Sequence, residues 1–434
     1  MDEIKKEKAS LEVSSSKKEG SSKKDSSWLK TRHKVLRFLF GWILVLVGRI
    51  KYGMRAERFK QQGKRPYLIL YNHQTPFDQF FVMASFKGAI YYLATEDIFS
   101  LGWVSSLIRY AVEPIPIKKQ SMDLNAVKMI LKVAKEGGTI AVAPEGNRTY
   151  SGKTEYMNPA IAHLAKKLRL PIALYRIEGG YGVEPRWSDK VRKGRMRAYV
   201  SRVIEPEEYK SLSNDELMTL IREGLYVNEA CPGGPFKSER QAEYLERCIY
   251  VCPDCGFSVF RSEGNEMECM TCHKKVKYNP DKSIEGVGFS FPFRYVNDWY
   301  EYQKSYVNQQ DTAAMTEEPL FVDVVNIAKV VPYKHKIPLM KEVPMKLYGD
   351  RIVITPEKER SNDIALSEDG NWILPFETLG GAAILGRNKL NVYFEETIYQ
   401  IKGDKHFNAL KYMNLYYRFK NITSGERDGK FLGL

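Results

Sequence analysis

Tyr67-Leu68-Ile69-Leu70-Tyr71-Asn72-His73-Gln74-Thr75-Pro76-Phe77-Asp78 is the stretch on which the fold turns. Its first five residues form an apolar run bounded by turn formers, the pattern of a short buried strand. His73 therefore stands at a strand end. Asp78 follows with four residues between them, about one turn further on. A carboxylate at that distance can accept a hydrogen bond from one ring nitrogen, which leaves the other free as a base toward an alcohol. This is the base and orienter of a catalytic triad with no serine between them, so the attacking hydroxyl would belong to a substrate. Taken alone, a histidine and an aspartate at this spacing are more often surface residues with satisfied side chains.

A second motif changes that balance. Ala143-Pro144-Glu145-Gly146-Asn147-Arg148 follows another apolar run, Thr139-Ile140-Ala141-Val142, again at a strand end. Glycine lets backbone approach an anion closely, and arginine forks two donors onto phosphate or carboxylate. In this order and separation the two motifs resemble the glycerolipid acyltransferases, the 1-acylglycerol-3-phosphate acyltransferases and their relatives. That family carries Asn-His-x4-Asp first and Pro-Glu-Gly-x-Arg third. Val112-Glu113-Pro114-Ile115-Pro116-Ile117-Lys118-Lys119 is similar to the family's second block, and Leu170-Pro171-Ile172-Ala173-Leu174-Tyr175 to its fourth. The resemblance covers about residues 28 to 230. The chain departs from the pattern at Lys119, where arginine is usual, at Thr95, where lysine is frequent, and at Ala143 and Asn147. These departures bear on the acceptor's head group and leave the His73–Asp78 chemistry untouched.

The resemblance implies an α/β acyltransferase domain and an acyl thioester donor, acyl-CoA or acyl carrier protein. The implied acceptor is a lysophospholipid hydroxyl, lysophosphatidate leading. His73 and Asp78 are the implied catalytic pair. Asn72, Lys118, Lys119, Glu145, Gly146 and Arg148 are the implied substrate-binding residues. The implied location is peripheral, on the cytoplasmic face of a bacterial plasma membrane.

At 434 residues the chain has room for two or three domains. A net charge of +14 favours an anionic partner: a membrane, a phosphorylated substrate or a nucleic acid. Residues 1 to 27 are rich in Lys, Ser and Glu and too poor in apolar side chains to form a core, so a disordered tail is expected there. Residues 28 to 52 combine Lys30, Arg32, Lys34, Arg37, Arg49 and Lys51 with an apolar run, Phe38 to Gly48. Such a run rises only about 16 Å as helix, roughly half of a bilayer core. It reads as an interfacial membrane helix, with a helix packed on the catalytic domain as the alternative. The catalytic domain is expected over 53 to 230, with a strand from Arg195 to Ile204 and a capping box, Ser213-Asn214-Asp215-Glu216, opening a helix to Leu225.

Cys252-x2-Cys255 and Cys269-x2-Cys272 form two tight knuckles suited to one tetrahedral Zn2+. A small four-cysteine zinc ribbon is expected over 248 to 280, with Cys231 and Cys248 as free thiols and His273 as a bystander. Iron in similar knuckles is the alternative metal. A ribbon in a basic chain also raises nucleic-acid binding, but Glu263, Glu266 and Glu268 in its loop disfavour phosphate backbones. After a connector at 281 to 318, with a helical segment from Val296 to Asn308, the pattern turns to short strands. Met345–Leu347 and Ile352–Ile354 flank Tyr348-Gly349-Asp350, a hairpin signal. Further runs at Trp372–Leu374, Ala382–Leu385, Leu390–Phe394 and Thr397–Ile401 precede a helix with Phe407, Leu410, Met413 and Tyr417 on one face. Residues 319 to 422 thus resemble a β-rich PH/GRAM-like domain ending in a helix. The remaining histidines, His33, His163, His273, His335 and His406, lack an aspartate at the His73 spacing and read as structural or exposed.

Overall fold

The apolar run after Tyr67 becomes a fully buried strand, β2 (Leu68–Tyr71), at the centre of a sheet. This computed structural model describes residues 27–95, 98–99, 102–117, 124–331, 334–356 and 366–425. The other strands of that sheet are β1 (Met54–Ala56), β3 (Ile90–Thr95), β4 (Ile115–Ile117), β5 (Thr139–Val142), β6 (Ile172–Glu178) and β7 (Met196–Ile204). Their order is β1-β7-β6-β2-β5-β3-β4. The five strands from β6 to β4 are parallel; β7 runs antiparallel to β6 and carries β1 parallel to itself.

The central strands β2 and β5 are buried throughout because helices cover both faces. Leu68 and Leu70 pack with Ile130, Val133, Ile161 and Ile221 on one side. Ile69 and Tyr71 pack with Phe81, Val82 and Tyr175 on the other. Among the described residues the helices of this domain are α1 (Thr31–Tyr52), α2 (Asp78–Ser85), α3 (Trp103–Val112), α4 (Leu124–Lys135), α5 (Ala160–Leu168), α6 (Gly180–Val183), α7 (Pro206–Tyr209) and α8 (Asn214–Leu225), of which α3 packs chiefly on α1 rather than on the sheet. The Ser213 capping box is present, with Ser213 and Glu216 each bonded to the other's backbone N–H.

The basic and apolar segment near the N-terminus forms α1, a 22-residue helix. One side is tied to the domain. Lys30 pairs with Glu113 at 2.6 Å, Arg37 donates to the carbonyls of Met83 and Phe86, and the backbone N–H groups of Trp28 and Leu29 meet Glu136. The other side leaves Phe38, Trp42 and Ile50 between 63% and 82% exposed. Trp103 and Leu107 of α3 are exposed as well. No helix among the described residues is long and apolar enough to cross a membrane. The expected tail over residues 1 to 27 lies outside the described residues except for Ser27, whose hydroxyl donates to Glu136 at 2.6 Å.

The cysteine region contains β8 (Val251–Cys252), β9 (Gly256–Phe257), β10 (Phe260–Glu263), β11 (Glu266–Cys269), β12 (Lys275–Tyr278) and β13 (Ile284–Gly286). The first two pair as a hairpin and the last four form a meander, which extends past residue 280 through the pairing of Tyr278 with Ile284. The helix α9 (Val296–Gln309) braces this region, with Trp299 Nε1 on the carbonyl of Val251 and Gln303 Oε1 accepting from the N–H of Tyr250.

The C-terminal sheet has β14 (Phe321–Val331), β15 (His335–Leu347), β16 (Arg351–Ile354), β17 (Trp372–Pro375), β18 (Gly381–Leu385), β19 (Lys389–Phe394) and β20 (Thr397–Lys402), followed by α10 (Ala409–Thr423). It is antiparallel in the order β17-β16-β15-β14-β20-β19-β18, two consecutive meanders joined through β14 and β20. The hairpin expected at Tyr348-Gly349-Asp350 is formed. Against the expectation of short strands, β14 and β15 span 11 and 13 residues. Pro338 breaks the sequence pattern of β15 but lies where that strand is an edge, since β16 pairs only with Met345–Leu347. One buried cluster runs from Tyr150, Tyr181 and Trp187 of the first domain through the cysteine region into the C-terminal sheet. The three parts therefore share a core, and that core holds the C-terminal sheet against the Tyr150 and Tyr181 segments of the first domain.

Candidate active site

The loops after β2 and β5 leave the same edge of the sheet from adjacent parallel strands, at their carboxyl ends. This is where open α/β sheets bind ligands. The first loop carries His73, and α2 begins at Asp78. His73 Nδ1 lies 2.7 Å from Asp78 Oδ2, the hydrogen bond expected from the spacing. Asp78 is fully buried and accepts further bonds from Gln74 N (2.7 Å), Thr75 N (3.0 Å) and Thr75 Oγ1 (2.7 Å). Its position at the first turn of a helix also favours negative charge. A carboxylate so fully bonded cannot rotate, and it holds the imidazole in one orientation. The His73 side chain is 25% exposed, so its other edge faces the open side of the site.

Asn72 and Glu145 brace the site. Asn72 is buried and spans to β6, donating to Ile177 O at 2.8 Å and accepting from Ile177 N at 2.7 Å. Glu145 accepts from the backbone N–H of His73 at 2.8 Å and from that of Glu155 at 3.3 Å. It thereby ties the second motif to the first. The residue keeps some surface, but its carboxylate faces inward, and burial lifts it to about 8 against the pull of those N–H groups. Gly146 closes the turn at φ 64°, a left-handed conformation that favours glycine. The backbone N–H of Thr149 reaches the carbonyl of His73 at 3.3 Å, which sets Arg148 beside the histidine loop. Gly180 lets α6 approach from the other side, since a Cβ there would meet Gln74 Cβ at 2.5 Å.

Arg148 is buried, with 8% of its surface exposed, and burial followed by the neighbouring Arg186 brings it down to about 10. Glu184, Arg387 and Tyr52 complete its electrostatic surroundings. Burial raises Glu184 as well, opposed by Arg148, Arg387 and Lys51. Lys118 and Lys119 lie outside the described residues. Thr95 ends β3. Sequence reading overlooked Glu184, Arg186 and Arg387. They carry no local motif, and Arg387 lies more than two hundred residues from Glu184.

The four cysteines Cys252, Cys255, Cys269 and Cys272 bring their sulfur atoms within 4.8 Å of one another. Cys252 and Cys272 sulfurs are 3.9 Å apart. A tetrahedral ion with metal–sulfur bonds of about 2.3 Å has sulfur–sulfur edges of about 3.8 Å, so this cluster can hold a metal. Cys231 and Cys248 are free thiols. His273 is exposed and pairs with Glu268 at 2.9 Å, outside the cluster. His33 and His406 also have carboxylate partners, Glu113 and Glu246, that are distant in sequence.

Residues 54–177 match the acyltransferase family model, so the chain carries an acyltransferase domain. Over 137 residues, 31% of its length, it is 21% identical to the 1-acyl-sn-glycerol-3-phosphate acyltransferase of Bacillus subtilis (strain 168), and it spans 65% of that relative. Among solved structures it is similar to the 1-acyl-sn-glycerophosphate (LPA) acyltransferase PlsC of Thermotoga maritima, at 20% identity and a TM-score of 0.38, over 45% of this chain and 80% of that one. It is also similar to the Vps36 N-terminal PH domain, at 16% identity and a TM-score of 0.19, over 25% and 82%. At such TM-scores neither structural likeness carries an argument about function.

Proposed function

We propose that the protein is a membrane-associated O-acyltransferase that moves an acyl group from acyl-CoA or acyl carrier protein to a glycerol hydroxyl of a lysophospholipid, with lysophosphatidate as the leading acceptor. The observation that carries this reading is the 2.7 Å bond between His73 and a saturated, buried Asp78 at the carboxyl edge of the parallel strands. His73 Nε2 takes the hydroxyl proton as the oxygen attacks the thioester carbonyl. The carbon–oxygen bond forms, the carbon–sulfur bond breaks, and the imidazolium returns the proton to the departing thiolate. Asp78 stabilises the imidazolium in between. Asn72 and Glu145 act as positioning residues, and Arg148 receives the acceptor's phosphate. Mass analysis of products from a panel of lysolipids, with each thioester donor, tests this. A folded protein that acylates none of them sinks it.

The exposed apolar faces of α1 and α3 support a location on a membrane surface, with α1 lying in the interface and its basic residues on lipid phosphates. We place the protein on the cytoplasmic side of a bacterial plasma membrane. Full-length protein with both Phe38→Asp and Trp42→Asp should sediment less with anionic liposomes than wild type; equal sedimentation places the anchor elsewhere.

The cysteine cluster is read as a structural Zn2+ site held by Cys252, Cys255, Cys269 and Cys272, which when bound would tie the two knuckles together. Elemental analysis should return one zinc per chain, and iron or no metal rejects the assignment. The seven antiparallel strands with a closing helix support a PH-like reading of the C-terminal sheet.

A further inference from the structure

The turn between β18 and β19, Gly386-Arg387-Asn388, leaves the C-terminal sheet and lies on the catalytic domain. Its backbone is held there. Tyr150 Oη donates to Arg387 O at 2.9 Å, and Arg186 Nε donates to Gly386 O at 3.0 Å. Arg186 also donates to Ile384 O at 3.2 Å and to Arg148 O at 2.9 Å, so one guanidinium joins the turn to the Arg148 loop. Arg387 itself donates to Ser188 O at 2.8 Å through Nε, and through Nη2 to Glu184 Oε1 at 2.6 Å.

Around Glu184 three polar atoms are buried without a closed hydrogen bond among the described residues: Glu184 Oε2, Arg148 Nη1 and Tyr52 Oη. Tyr52 stands beside Glu184, and its hydroxyl feels both the charge and the hydrogen-bonding pull of that carboxylate at a geometry looser than a closed bond, so Arg148 Nη1 is the orphan that remains. Folded proteins leave few such atoms bare, and a water, an ion or a ligand usually accounts for them. The charges are also unbalanced. Lys51, Arg148 and Arg387 act on the single carboxylate of Glu184. The nearby Asp189 pairs with Arg247 at 2.7 Å and lies 3.5 Å from Arg387 Nε, so it is shared between the two arginines and offsets Arg387 only in part. A surplus of positive charge suits a phosphate monoester, whose charge near neutral pH is roughly −1.5 to −2. The Arg387 side chain is 32% exposed, so the cluster opens to solvent on its side. Arginine presents a planar fork that fits phosphate oxygens.

We propose that Arg387 binds the phosphate monoester of the acceptor, so that the C-terminal sheet supplies part of the head-group site of the catalytic domain. The inference rests on the reading of that domain as an acyltransferase with a phosphate-bearing acceptor. A phosphate of coenzyme A offers the same chemistry, and the experiment separates the two sources.

Calorimetry on the full chain measures binding of glycerol 3-phosphate and of coenzyme A to wild type and to Arg387→Gln. The substitution should weaken glycerol 3-phosphate about tenfold, the scale of one charge-assisted contact, and leave coenzyme A unchanged. The KM for lysophosphatidate should rise by a similar factor with the thioester's KM unmoved, a split that loosened domain packing would not give. Equal affinity in both proteins, no glycerol 3-phosphate binding by either, or a loss confined to coenzyme A overturns the inference. If Arg387→Gln lacks a cooperative melting transition, Arg387→Lys takes its place; about a threefold loss is expected, and none overturns the inference. Wild type that binds glycerol 3-phosphate through Arg387 yet acylates no lysolipid sinks the proposed function and leaves the anion site standing. Acylation that is indifferent to Arg387 does the reverse.

Discussion

Asp78 and Glu184 are both buried carboxylates near the loops that carry His73 and Arg148, and they are satisfied in opposite ways. Asp78 takes donors from His73, Gln74 and Thr75 on both oxygens, all from within five residues of sequence. Glu184 takes one guanidinium from a turn about two hundred residues away, and among the described residues its other oxygen closes no hydrogen bond, with only the Tyr52 hydroxyl held loosely beside the carboxylate. A saturated carboxylate fixes the geometry of its partner. An unsaturated one among surplus cations leaves donors free for something else. The first arrangement suits a group that orients a base, and the second suits a group beside a binding site.

The largest effect should come from the saturated side. His73→Ala should lower kcat by roughly 10²- to 10⁴-fold, the usual contribution of a positioned base, without loss of folding. Asp78→Asn should come close, because an amide lets the imidazole take the wrong tautomer. Purified variants with wild-type melting and near wild-type turnover would show that the saturated carboxylate orients nothing the reaction needs.

Arg148→Lys probes the unsaturated side. Replacing a fork by a point charge should raise the acceptor's KM by about five- to thirtyfold and leave the donor's KM unchanged. If only the donor's KM moves, the cluster belongs to the thioester carrier. Glu184→Gln should act in the opposite sense and more weakly. Removing one negative charge several ångströms from a phosphate is worth about 1 kcal/mol, so the acceptor's KM should fall by roughly fivefold. A rise would mean that Glu184 positions the cations more than it competes for them.

Glu145 is a third buried carboxylate, and it contrasts with Asp78 through stability and not through rate. Its carboxyl is raised from 4.5 to about 8 by burial, so the neutral form is the favoured one in the folded protein. Its contribution is therefore fully present below about pH 4.5 and is lost as pH rises through about 8. Glu145→Gln mimics the neutral form while keeping a carbonyl oxygen for the N–H of His73. Urea unfolding at several pH values between about 5 and 9 should show a smaller decline for the variant than for wild type. Parallel curves would remove Glu145 from that titration.

Local sequence was enough to place the His73–Asp78 pair. An apolar run, a turn and an aspartate about one helical turn later bring His73 and Asp78 together by short-range geometry, and the observed bond follows. The capping box at Ser213, the hairpin at Tyr348-Gly349-Asp350 and the two cysteine knuckles were legible for the same reason, since each is built within a few residues. The length of β15 was masked by Pro338 and Pro344, because tolerance of proline depends on which edge of a strand is paired. The braces made by Asn72 and Glu145 depend on strand order, which local pattern does not carry. The meeting of Arg387 with Glu184, and the single core shared by three parts of the chain, came into view with the folded molecule alone. Those contacts arise from packing between elements up to about two hundred residues apart, where burial and charge choose the partners and no spacing along the chain records the choice.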